Sequence, residues 1–211
     1  MILARACYKE NMPKVVDVDA RRTELGEAVW RVILRDGLDR ASVRNVAHEA
    51  GLSMGSLRHY FGSQTELLAF AMRLVTERAR CRIEALDLAS LGPRRAVELV
   101  LSEVLPLDAG RRAEAEVWLA LTGRALVEPT LRILRNEADN GLRELCGWSI
   151  RTLVESGQGA SGLDVELETE RLCAVIDGLA VHAVVRPESA AADAVTAVLA
   201  RHLDSLRHTS S

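Results

Sequence analysis

Between residues 42 and 61 the chain reads SVRNVAHEAGLSMGSLRHYF. Ser56, Arg58, His59 and Tyr60 bring four hydrogen-bond donors together within five residues, and Met54 adds an apolar contact. A short helix carrying such a set on its outer side is suited to the donor and acceptor edges of base pairs in a DNA major groove. Ser42 and Ser53 each precede a short apolar stripe, as helix N-caps do, and the free N–H groups of a helix start favour a phosphate. Arg44, on the outer side of the first stripe, is placed to reach a phosphate or a minor-groove edge. Gly55 is costly inside a helix, by about 1 kcal/mol relative to alanine. It is explained if the backbone must come close to a partner there.

These side chains need two helices to hold them. Val43, Val46, Ala47 and Ala50 make one short amphipathic stretch that ends at Gly51, and Met54 to Tyr60 makes the next, closed by Gly62. Ala47 is small enough for a close crossing, and Val46, Leu52 and Leu57 fill the space between. The arrangement is a helix-turn-helix, whose second helix enters the groove. Upstream, Leu25, Ala28, Val29, Val32 and Ile33 predict a helix over 21–36 that stops at Gly37. Downstream, Ser63 and Glu66 have capping-box spacing and open a long helix, 63–88, with Leu67, Leu68, Ala71, Leu74 and Val75 facing inward. Gly92-Pro93 marks a break. Further helices are expected at 93–105, 111–128, 129–156, 165–185 and 189–207, with Pro129 at a first helical position. Residues 157–162 read as a flexible surface loop. No β alternation occurs, so the fold class is all-α.

Residues 37–68, GLDRASVRNVAHEAGLSMGSLRHYFGSQTELL, resemble the DNA-binding signature of TetR-family transcriptional regulators. The likeness is carried by Gly37, Ala47, Ala50-Gly51, Ser53-x-Gly55-Ser56, Tyr60-Phe61 and Leu67-Leu68. The segments VWLALTGRALVEPTLRILRNE and LCAVIDGLAVHAVV resemble the C-terminal domain of the BetI-like branch. The resemblance implies a homodimer with about nine to ten helices per chain, repressing at a palindromic double-stranded operator and released by a small-molecule effector. It implies DNA contacts from Ser42, Arg44, Ser53, Ser56, Arg58, His59 and Tyr60, and Met54, Gly55, Lys14 and Arg22 join this set. Met12-Pro13-Lys14 looks like the usual start of such a protein, which would make residues 1–11 an upstream extension. Position 64 is Gln where many members carry a phosphate-binding Lys, and position 58 is Arg where many carry Tyr. The expected division is a flexible arm at 1–20, a helix-turn-helix domain at 21–66 and a ligand-binding and dimerisation domain at 67–211.

Composition bounds the rest. The 211 residues carry a net charge of −3, which excludes a polybasic nucleic-acid coat. Residues 1–62 hold ten basic and eight acidic side chains, against seventeen and twenty-two beyond them, so the N-terminal part is only mildly positive. DNA affinity then depends on a dimer that adds the phosphate contacts of two half-sites. No uncharged run approaches the ~20 residues of a membrane span, and a cytoplasmic location is expected. The four cysteines, Cys7, Cys81, Cys146 and Cys173, are scattered and read as reduced structural thiols. Hydrolase, nucleotide and metal motifs are missing, so an enzyme, a cofactor and a metal are not expected.

The regulatory half is read from its apolar helices. Leu172, Val175, Ile176, Leu179 and Ala183, with Ala194, Val195, Val198, Leu199, Leu203 and Leu206, are expected to meet their copies in a four-helix dimer interface. Candidate ligand contacts are Trp118, Thr122, Trp148, Cys173, Ile176 and Asp177. Two tryptophans make a poor cage for a quaternary ammonium, so a largely apolar ligand anchored by a group such as Asp177 fits better. His202 and His208 read as solvent-facing, and Arg111-Arg112 as a solvated helix start. Other readings of the chain are a ligand-independent or activating regulator, and a helical interaction module that has lost DNA binding.

Overall fold

The computed structural model describes residues 18–160, 162–188 and 191–207, and among these the chain is built from helices without strands. The order is α1 (Val18–Asp36), a 3-10 turn (Leu38–Arg40), α2 (Val43–Glu49), α3 (Met54–Arg58), α4 (Gln64–Glu84), α5 (Pro93–Ser102), α6 (Ala109–Ala125), α7 (Pro129–Glu155), α8 (Val165–Val185) and α9 (Ala192–Ser205). Every expected helix is present. The first starts three residues earlier than the periodicity suggests. Most of the others end sooner, because terminal residues with helical-looking composition fall into turns.

Helix ends are set by local chemistry. Gly37 and Gly51 have φ of 85° and 65°, a backbone region that side chains other than glycine rarely adopt. The Ser42 and Ser53 hydroxyls accept from the Asn45 and Ser56 amides as N-caps. Ser63 caps α4 by accepting from the Glu66 amide, but Glu66 returns its bond to the Gly62 amide, one residue earlier than a reciprocal box requires. Asp108 and Asp164 cap α6 and α8 in the same way. Residues 157–160, the described start of the expected loop, are tied down more than their glycine content suggests. The Gln158 and Gly159 amides donate to the Leu153 carbonyl, and the Ala160 amide donates to the Leu206 carbonyl.

Two apolar clusters hold the helices. The first joins Leu25, Val29, Trp30, Val32, Val46, Leu57, Phe61, Leu67 and Met72, and continues without interruption into Val117, Leu121, Ala125 and Leu131 of α6 and α7. The helix-turn-helix therefore shares its core with the C-terminal body. The second joins Val97, Leu101, Cys146, Ile150, Leu172, Ile176, Leu199 and Leu203. Three expectations are corrected by this packing. Most of the apolar positions on 165–185 and 189–207 expected to meet a copy, including Leu172, Ile176, Ala183, Val195, Leu199, Leu203 and Leu206, are buried within the chain itself. His202 is buried as well, on the same stripe as Val195 and Leu199. Burial, reinforced by the charge of Arg171, pushes its pKa down. Arg111 and Arg112 are half-buried and donate to the Ser102 and Ala183 carbonyls at 2.8 and 2.9 Å. His208 lies outside the described residues.

Candidate nucleic-acid interface

The polar face of the helix-turn-helix is assembled by burying very little of α3. Leu57 is its one buried residue, and it locks the helix onto the first cluster beside Val46 and Ala47 of α2. Met54, Gly55, Arg58 and His59 are thereby presented to solvent, Met54 with 48% of its surface open. Ser56 and Tyr60 are half-buried, Tyr60 because its ring leans on the first cluster. The helix ends at Arg58 and His59 caps it, so His59 and Tyr60 lie on its closing turn rather than within it. Arg44 is exposed on α2. An alanine Cβ at Gly55 would meet only the Ser53 hydroxyl, at 3.7 Å. Nothing inside the fold requires glycine there.

The serines serve the fold before any partner. Besides capping, Ser53 Oγ lies 2.9 Å from Ser56 Oγ. Each hydroxyl keeps a lone pair or a proton for an outside group. Arg22 is turned inward: its guanidinium lies 5.0 and 5.2 Å from the Phe61 and Phe70 ring centres and 3.9 Å from Glu66. It braces α1 against α4 at the edge of the face, and its buried Nε has no hydrogen-bond partner. Lys14 lies outside the described residues.

Several bonds that aim this face were not legible as site chemistry. Gln64 Nε2 donates to the Ala41 carbonyl at 3.0 Å, joining the start of α4 to the residue just before the α2 cap. Glu49 at the end of α2 accepts from Arg31 and Arg35 of α1, at 2.8 Å each. These contacts hold its carboxyl below the ordinary glutamate range, the Arg31 hydrogen bond contributing most. Trp30 Nε1 donates to the Ala71 carbonyl inside the core. A shallow concavity of about 440 Å³ beside the face is lined by Arg35, Asp36, Arg40, Asn45 and His48.

Four of the six candidate ligand contacts divide between the two apolar clusters. Trp118 packs on the first cluster, and Trp148, Cys173 and Ile176 belong to the second. Thr122 is half-buried with a buried hydroxyl that has no hydrogen-bond partner. Asp177 is open to solvent as a residue, yet crowding of its carboxyl, with the like charge of Asp139 across on α7, pushes its pKa up. Cys146 is fully buried, and that burial, with Cys173 beside it, pushes the thiol far above its usual range. No group of three or more metal-ligating side chains occurs among the described residues.

The face belongs to a recognisable body. Residues 27–71 match the model of bacterial regulatory proteins of the tetR family, and residues 93–208 match that of the BetI-type transcriptional repressor C-terminal domain. The chain is 40% identical over 196 residues to the HTH-type transcriptional regulator PksA of Bacillus subtilis, covering 92% of this chain and 94% of that one. It is 27% identical to the regulator BetI of Vibrio vulnificus, over 92% and 96% of the two chains. In three dimensions it is similar to a transcriptional regulator from Rhodococcus, with TM-score 0.77, 29% identity and coverage of 88% and 95%. A regulator from Saccharomonospora viridis, solved in complex with choline, superposes with TM-score 0.79 at 25% identity, over 88% and 96%.

Proposed function

The chain belongs to the TetR family of transcriptional regulators, and from that membership we propose that it works as a homodimeric repressor. It binds a palindromic operator through α3 and releases it when a small, largely apolar effector binds. The observation that carries this reading is the economy of α3. One leucine anchors it, and Met54 and Arg58, with a glycine the fold does not need, form an open face aimed by α1, α2 and α4. Arg58 and His59 read base edges, Met54 makes an apolar contact, Gly55 admits a close backbone approach, and Ser42, Arg44, Ser53, Ser56 and Tyr60 fix the register on phosphates. Arg22 contributes by bracing α1, and Lys14 adds a cation from the N-terminal segment. Repression takes place in the cytoplasm. Among the described residues no helix is long and apolar enough to cross a membrane.

The dimer is supported by what α8 and α9 leave uncovered. Leu167, Val181, Val185 and Val198 are large apolar side chains exposed at 62%, 39%, 62% and 50%. A second copy covers them along α8 and α9. In this reading the effector binds within the expected ligand-binding domain, 67–211. The separation of Trp118 and Trp148 into different clusters argues against an aromatic cage like one a choline ligand prefers. The unpartnered Thr122 hydroxyl and the Asp177 carboxyl supply polar anchors for an otherwise aliphatic ligand.

The test is fluorescence anisotropy with labelled DNA from upstream of the gene, at fixed salt and with excess unrelated competitor. Saturable binding that survives competitor and weakens by about 1–3 kcal/mol in Arg58→Ala supports the reading. Binding that competitor abolishes, followed by failure to enrich any sequence from a random pool, overturns it in favour of a helical module without operator recognition. Binding that no effector weakens would instead favour a ligand-independent regulator.

A further inference from the structure

Glu114 is the one buried carboxylate of the described residues, set on α6 with 7% of its surface open. It is in register with Val117, Leu121 and Ala125, the stripe that α6 turns toward the DNA-binding helices. Arg82 of α4 meets it with both terminal nitrogens, at 3.0 and 2.8 Å. The same guanidinium spends its Nε on the Glu103 carboxylate and shares Nη2 with the Glu103 carbonyl, at 3.0 Å each. All three of its nitrogens are thus committed to the corner between α5 and α6. Arg78, one turn earlier on α4, reaches Glu114 at 4.0 Å with one nitrogen and pairs with Glu27 of α1 with the other. Its guanidinium lies over the Trp30 ring, 4.6 Å from the centroid.

We infer that Glu114 is a positioning residue for DNA recognition. Through Arg82 it fixes α4 to the α5–α6 corner, and through Arg78 it fixes α1, so a displacement of α6 is carried to the helix-turn-helix instead of being absorbed at the joint. The inference rests on the repressor reading above. Its physical basis is the intolerance of a buried charge to partial separation: a carboxylate with little access to water must keep its guanidinium partners or lose more than it gained. Apolar packing between the same helices slides with less penalty. A palindromic operator needs two recognition helices held at a set separation, since the second half-site adds affinity only when geometry lets both engage. Loosening this joint therefore harms binding to two half-sites and spares binding to one.

The experiment uses the full chain, an operator selected from a random DNA pool by the wild-type protein, and one isolated arm of that operator. Two variants are compared, Glu114→Gln at the centre and Glu27→Gln at the more exposed α1 end, where loss of folding is not at issue. The expected result is about a tenfold loss of affinity for the full operator in both variants, with affinity for the single arm unchanged within about twofold. Amide hydrogen exchange should quicken in α1 and stay unchanged in α9. Equal losses on the full operator and the single arm overturn the inference, as does unchanged affinity for both. If the wild-type chain enriches no DNA, the repressor reading fails, and exchange alone decides the joint. Faster α1 exchange in both variants upholds it, and unchanged exchange overturns it.

Discussion

Gly55 shows how a single residue separates the needs of the fold from those of a partner. Its Cβ position is clear of the protein, and it sits in a five-residue helix. Gly55→Ala should therefore raise the stability of the free protein by up to about 1 kcal/mol. The same change should weaken operator binding, since in the proposed complex the added methyl stands where the backbone approaches DNA. Denaturant unfolding and anisotropy on one preparation check both signs. His202 is a second residue whose environment predicts behaviour. Burial on α9 lowers its pKa below that of an unfolded histidine, near 6.5. Well above that value it is neutral in both states and has no effect. As pH falls below about 6.5 the unfolded chain takes up the proton first, so stability is lost on acidification. Unfolding free energies at pH 7.5 and 5.5 should differ more in the wild type than in His202→Leu. An equal difference would place the titration elsewhere.

At the scale of elements, the helices are individually ordinary and are made specific by a few polar crossings. The Trp30 indole bond to the Ala71 carbonyl and the Gln64 bond to the Ala41 carbonyl tie α1 and α2 to α4 at points that carry no local signal. Trp30→Phe should cost about 1–3 kcal/mol, because it removes a buried indole hydrogen bond from the Ala71 carbonyl and thins the core. Thermal unfolding checks it, and a change within error would mean that neither the bond nor the larger ring adds net stability. Helix limits were legible where a cap or a glycine sets them, as at Gly37, Ser42, Gly51 and Ser53. They were less legible at Tyr60 and around residue 86, where the last turn unwinds with no residue type to mark it.

For the whole molecule, the exposed valines of α8 and α9 make a prediction independent of DNA. Val181→Glu combined with Val185→Glu should convert the proposed dimer to monomers in sedimentation velocity. The monomers should keep their helical circular dichroism, because both positions lie outside the core. Affinity for the full operator should then fall to that for one arm. A double variant that stays dimeric would move the interface to another face. The first cluster runs from α1 through α4 into α6 and the start of α7, so the DNA-binding helices should unfold together with that part of the body in calorimetry.

Local pattern alone determined the all-helical class, the helix-turn-helix and the exposed residues of the candidate recognition face. Those features depend on periods of three and four residues, caps and turns, all of which act over a few positions along the chain. Tertiary structure decided which apolar stripe of α8 and α9 faces the chain itself, that His202 and Glu114 are buried, and that Arg22 turns inward onto two phenylalanines. Each of these depends on which helices become neighbours. Glu114 and His202 occupy apolar stripes that sequence displays, but a charged or titratable residue on such a stripe is equally compatible with solvent. Only the arrival of Arg78 and Arg82 from α4, more than thirty residues away, makes a buried carboxylate at position 114 tenable.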